Sequence, residues 1–172
     1  MMPGAEPPAR YAPEVPFPPY AFVPGRHPHP ATHPQGHRFG QPEETVPAPD
    51  AETLEDNSHY RLGIDLFNHG YYWEAHDVWE QLWLAAGREG ALADVLKGLI
   101  KLAAAGVKAR EGNRNGVVKH ARRASELFQQ TGCSQFARYA DDLLAGPVVD
   151  ATFTTQGNPV LPIQLRPEDA VR

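Results

Sequence analysis

The chain predicts an all-α fold, a bundle of about five helices built from two stacked helical hairpins, with an extended N-terminal arm and an extended C-terminal tail. Three observations carry this. Fourteen of the eighteen prolines precede residue 51, and none stands between Asn57 and Ala145. Within that proline-free window apolar residues recur at helical spacing, and glycines punctuate it at Gly70, Gly87, Gly112 and Gly146. The expected boundaries are a Pro- and His-rich arm over 1–50, extended or disordered, a helical domain over 51–146, and an extended tail over 147–172.

The first helix starts near Asp56 to Ser58, any of which can cap it, and runs through Leu62, Leu66 and Phe67 to Gly70. A second spans about Tyr72 to Ala86. The third, near Ala91 to Glu111, is apolar almost all round and reads as the central helix. A fourth, behind an asparagine cap in the Gly112–Gly116 turn, covers about Asn115 to Gln130. The fifth, capped by Ser134, covers Gln135 to Leu144 before Gly146-Pro147. The first two helices carry Leu62-Gly63, Leu66, Gly70, Tyr72, Ala75 and Trp79 at offsets that resemble a tetratricopeptide hairpin, with a weaker echo at Ala104-Ala105, Lys108, Gly112, Val117 and Ala121. In the arm, Tyr11, Phe17, Tyr20, Phe22, Val23 and Phe39 supply apolar side chains with which it can lie against the helices.

Composition narrows the function classes. A formal net charge of -5 argues against a general nucleic-acid or anionic-membrane binder, so neither partner is expected. No apolar run approaches the roughly twenty residues of a membrane span. One cysteine, Cys133, leaves no intrachain disulfide and no thiolate metal cluster, and it reads as an ordinary residue. The start of the chain lacks the basic and apolar regions of a signal peptide, so a cytoplasmic protein is expected.

The segment Phe67 to Trp83 is the place to look for chemistry. At about 100° per residue, Ala75, Trp79, Leu82 and Ala86 share one side of the second helix, and Trp73, His76, Glu80, Trp83 and Leu84 the next. His76 and Glu80, one turn apart in an apolar arc, form either a polar clamp in the core or a ligand site. As a catalytic site, His76 is the acid or base, Glu80 fixes its tautomer, and Glu74 stands beside them. As a metal site, His76 and Glu80 need further ligands from His59, His69, Glu74 or Asp77. The pattern names no cofactor, and none is expected. On the third helix Lys97, Lys101 and Lys108 form a charged stripe. It is either a solvated face or one that meets Glu74, Asp77 and Glu80 as an ion-pair network or a pocket for an anionic ligand. Lys119, His120, Arg122 and Arg123 read as the wet face of the fourth helix. His27, His29, His33 and His37 lie in a Pro-interleaved tract of metal-binding residue types, but without a folded spacing.

These residues resemble a known family, domain of unknown function 309. The likeness rests on Phe67-Asn-His-Gly70, Glu74-Ala-His-Asp-Val-Trp-Glu80 with Trp83, Gly98-Leu-Ile-Lys-Leu-Ala-Ala-Ala105 with Lys108, and Gly112-Asn113 with Gly116. The arm segment Pro18 to Pro30, with Gly36-His37, resembles an extension carried by some members. The resemblance implies an all-α, tetratricopeptide-like bundle in which Glu74, His76 and Glu80 are family features, and it implies no reaction. Asp77 stands where the family often has Glu. Lys97 and Lys101 stand where Gln is expected, which favours an ion-pair or anion reading.

The expectation that follows is a binding or interaction module for a protein partner segment or for a second copy. Its candidate binding residues are Trp73, Asp77, Trp83, Lys97, Lys101 and Lys108, with His76 and Glu80 as an internal clamp. The alternative is a small-molecule or metal-dependent, hydrolase-like enzyme using His76, Glu80 and Glu74.

Overall fold

Residues 6–146, 150–155 and 158–170 are described by the computed structural model. Residue 147, the expected start of the tail, lies outside them. Five helices carry the fold: α1 (Ser58–Asn68), α2 (Tyr72–Ala85), α3 (Ala91–Arg110), α4 (Arg114–Thr131) and α5 (Ser134–Ala145), each packed on its neighbour in the chain. The expected helix ends agree within a residue or two, because the stop signals act locally. Asn57 caps α1 by accepting the Tyr60 N–H at 3.0 Å, and Asn113 caps α4 by accepting the Gly116 N–H at 2.9 Å. One expected cap is wrong. Ser134 is the first residue of α5, Cys133 holds the cap position, and no side chain caps that helix.

Close helix contacts are made at glycines. The Trp79 ring lies over Gly63, the Tyr72 ring over Gly106, and the Phe128 ring over Gly98, where a methyl group would stand 2.5 Å from the ring. These three contacts tie α1 to α2, α2 to α3 and α3 to α4 with no room for a side chain between them. The core continues through Ile64, Phe67, Leu82, Leu96, Leu99, Leu102, Phe128 and Phe136, all buried.

The α1–α2 turn is fixed by a second device. Gly70 adopts a positive φ of 84°, and its carbonyl accepts a 2.8 Å hydrogen bond from the buried Arg110 at the end of α3.

The tail turns out to be more ordered than an extended strand alone. It holds an antiparallel ribbon of β1 (Asp150–Thr155) and β2 (Asn158–Val160), then crosses the bundle with Leu161, Ile163 and Leu165 inward. The Asn68 side-chain amide stands in for a neighbouring strand. Its NH2 donates to the Leu165 carbonyl and its oxygen accepts the Leu165 N–H, both at 2.8 Å. The hydroxyl of Tyr72 accepts the Leu161 N–H at 2.6 Å, and that of Tyr60 donates to the Pro167 carbonyl at 2.9 Å. Among the described residues no helix is long and apolar enough to cross a membrane.

Candidate functional site

The arm is seated on α1 and α2, and the helices receive it mainly through carboxylates. An acid in the apolar run Leu62-Gly-Ile-Asp-Leu-Phe67 must be paired, since α1 is buried from Gly63 onward. Asp65, fully buried, meets that need with the arm: its Oδ1 accepts the Tyr11 N–H at 2.7 Å, and its Oδ2 accepts the Ala12 N–H at 2.8 Å and Arg10 Nε at 2.9 Å. The rest of the Arg10 guanidinium donates to the Ala12 and Val15 carbonyls at 3.0 and 2.6 Å, and so fixes a turn in the arm. That turn delivers Phe17, which stacks on Tyr71 at 4.9 Å and contacts His69 at 4.8 Å, while the Arg10 guanidinium lies 3.9 Å above the Phe17 ring.

Further along, Ala21, Phe22 and Val23 are buried, and the Phe22 N–H donates to Glu74 Oε1 at 2.8 Å. The rings of Phe22, His29 and Trp73 form a mutual edge-on cluster with centroids 5.2–5.3 Å apart. Arg38 closes the contact on Asp77 at 2.5 Å. The arm's histidines serve its own turns. His27 Nδ1 accepts the Val23 N–H, His29 Nδ1 accepts the Ala31 and Thr32 N–H groups, and His33 Nδ1 accepts the Gln35 N–H, at 3.0–3.2 Å. Each of these three imidazoles therefore carries its proton on Nε2 when neutral. Among the described residues no three His, Cys, Asp or Glu side chains are grouped to hold a metal ion.

Glu74 is the electrostatically unusual member of the face. Its Oε1 binds the arm, but its Oε2 is buried with no hydrogen-bond partner, as is Arg110 Nε. Burial pushes the Glu74 pKa up to about 7, against the pull of the Phe22 N–H and the Arg110 charge.

The sequence candidates divide into two groups. Trp73, Glu74 and Asp77 are brought together beneath the arm. His76 and Glu80 are not joined to one another, and the clamp expected in the core is not formed: Glu80 is exposed, His76 is half-buried, and no ion pair joins them. The cause is rotational. Ala75, Trp79 and Leu82 occupy the buried arc of α2, which leaves residues 76 and 80 on its flank. Burial lowers the His76 pKa, with Glu80 and Asp77 pulling the other way. Trp83 lies 5.7 Å beneath the Lys97 ammonium, and Lys108 pairs with Glu111 at 2.8 Å. Of the two readings left open for the lysine stripe, the ion-pair network is not formed: among the described residues, Lys97, Lys101 and Lys108 form no ion pair with Glu74, Asp77 or Glu80. Sequence reasoning named His69 only as a possible further metal ligand, and it missed Asp65, Tyr71 and Arg110. Asp65 left a readable signal, an acid on an otherwise apolar helix face; Tyr71 and Arg110 left none.

Residues 60–120 match the family model described as Domain of unknown function (DUF309). That window runs from α1 into α4 and holds Asp65, Glu74 and Asp77 but not the arm. Comparisons with curated proteins and with solved structures gave no match.

Proposed function

We propose that this chain, whose residues 60–120 form a domain of the DUF309 family, is a segment-binding module in which α1 and α2 take an extended, proline-rich peptide and the chain's own arm is the resident occupant. One observation carries the reading. Two buried carboxylates, Asp65 and Glu74, accept main-chain N–H groups of the arm at Tyr11, Ala12 and Phe22, so the face grips an extended backbone as such. Aromatic pockets at Tyr71 and Trp73 then select Phe17 and Phe22, and Asp65 and Asp77 select Arg10 and Arg38. A proline-rich ligand suits such a face because its backbone has little freedom left to lose on docking. Another segment with the same spacing of arginine and aromatic residues, including the arm of a second copy, competes for the same seat, and arm exchange is then the route to self-association.

The test separates arm from bundle after folding. A protease site placed in the exposed stretch Pro42 to Thr45 is cleaved in the folded chain, and a labelled peptide of residues 6–40 is added. The expected result is reversible replacement of the cleaved arm while the far-ultraviolet helix signal persists. Loss of the helix signal as the arm leaves would make the arm an inseparable part of the core and end the proposal.

A further inference from the structure

The lysine row of α3 runs between two helices, and two contacts fix its place. At one end the Lys97 ammonium lies 5.7 Å from the Trp83 ring of α2. At the other the Lys108 stem packs on Gly116 of α4, where a methyl group would come within 2.7 Å of its Cγ, and its ammonium is neutralised by Glu111 at 2.8 Å. Lys101 lies between these points. His76 of α2 stands two turns before Trp83 and His120 of α4 one turn after Gly116, and the Lys101 charge acts on both rings. All three side chains are half-buried.

We propose that the α3 surface between α2 and α4 binds a phosphate group, held by Lys101 between His76 and His120. The local charge is basic on the α4 side and mixed on the α2 side, where Glu80 and Asp77 act on His76 together with Lys101. Among the described residues neither Lys97 nor Lys101 has an acidic partner within ion-pair distance, although the chain as a whole carries -5. After burial, the charges that depress the His120 pKa are those of Lys101, Lys108, Lys119 and His76. On the α2 side Glu80 is exposed at the rim, and Asp77 is turned to Arg38 and Gln81. An ammonium and two imidazole N–H groups supply three donors around one tetrahedral oxyanion, and the anion's charge favours protonation of both rings. The two rings therefore take up protons on binding, against the phosphate's own loss of its second charge as pH falls from about 8 to 6. Nothing in the arm's seat is required for it.

Histidine ring resonances of the full-length chain, followed by NMR during titration with inorganic phosphate, test the assignment. Saturable shifts confined to His76 and His120, half-complete at about 1 mM or below, with a raised pKa for each, are the expected result. His33, in the exposed arm, serves as the internal reference. Lys101→Met should weaken the midpoint roughly tenfold or more. O-phosphoserine run alongside distinguishes sources: tighter binding than inorganic phosphate identifies a phosphate ester, and equal binding the free ion. The proposal is overturned if all histidines drift together as they do with sodium chloride, or if Lys101→Met binds phosphate as the parent chain does.

Discussion

Glu74 couples the arm to pH. Its carboxyl would have an ordinary pKa of 4.5 in an open chain, and in the docked state burial raises this to about 7. A carboxyl with a raised pKa holds its proton more tightly in the folded state. Its stabilising contribution is therefore fully present below about pH 4.5 and is lost as pH rises through 7, an effect on the order of 3 kcal/mol. Glu74→Gln keeps an oxygen for the Phe22 N–H and removes the buried charge. It should raise the melting temperature at pH 8 and flatten the difference between pH 5.5 and pH 8; an unchanged pH profile would contradict this account. Asp65 spends both of its oxygens on three donors, the Arg10 guanidinium and the Tyr11 and Ala12 N–H groups. Asp65→Asn sets an NH2 group against N–H donors and should cost about 3 kcal/mol in denaturant unfolding, with tryptic cleavage after Arg26 and Arg38 accelerated. A variant as stable and as resistant as the parent would remove Asp65 from its central place. Both acids were present to be read in the sequence, but only Glu74 attracted notice there. Asp65 escaped because its partners lie more than fifty residues away, in a stretch without periodicity.

At the scale of elements, the helices were legible because their signals are local: apolar spacing, an asparagine cap, a glycine stop. What spacing could not show was rotation at the margin of a buried arc, and so His76 and Glu80 were expected inside while they stand on the flank of α2. Nor could it show which glycines sit beneath rings. Gly98, Gly63 and Gly106 look like ordinary helix-weakening residues, yet each is where two helices come closest. Gly98→Ala would normally favour a helix, by up to about 1 kcal/mol. Against the Phe128 ring the added methyl should instead destabilise the fold by about 2 kcal/mol or more. Thermal or chemical unfolding decides between the two signs.

At the scale of the molecule, the arm and the tail enclose α1 together with the other helices, the arm through Asp65 and the tail through Asn68. The α1–α2 hairpin is thus the hub to which both ends of the chain return, and Arg110 ties its turn to α3. The paths of both ends were beyond the sequence, because extended segments are placed by tertiary partners and not by any repeat of their own. The two attachments differ in kind. The tail presents alternate side chains to the core, as a strand does, whereas the arm is held by buried carboxylates on its backbone and by aromatic pockets, as a bound peptide is. That difference gives the central claim its most direct measurement, native-state hydrogen exchange of the full-length chain. The amides of Tyr11, Ala12 and Phe22 should exchange through an opening that costs well below global unfolding, while those of α3 exchange only with the whole fold. Equal opening free energies for the arm and for α3 would contradict the account, since the arm would then be core and not ligand.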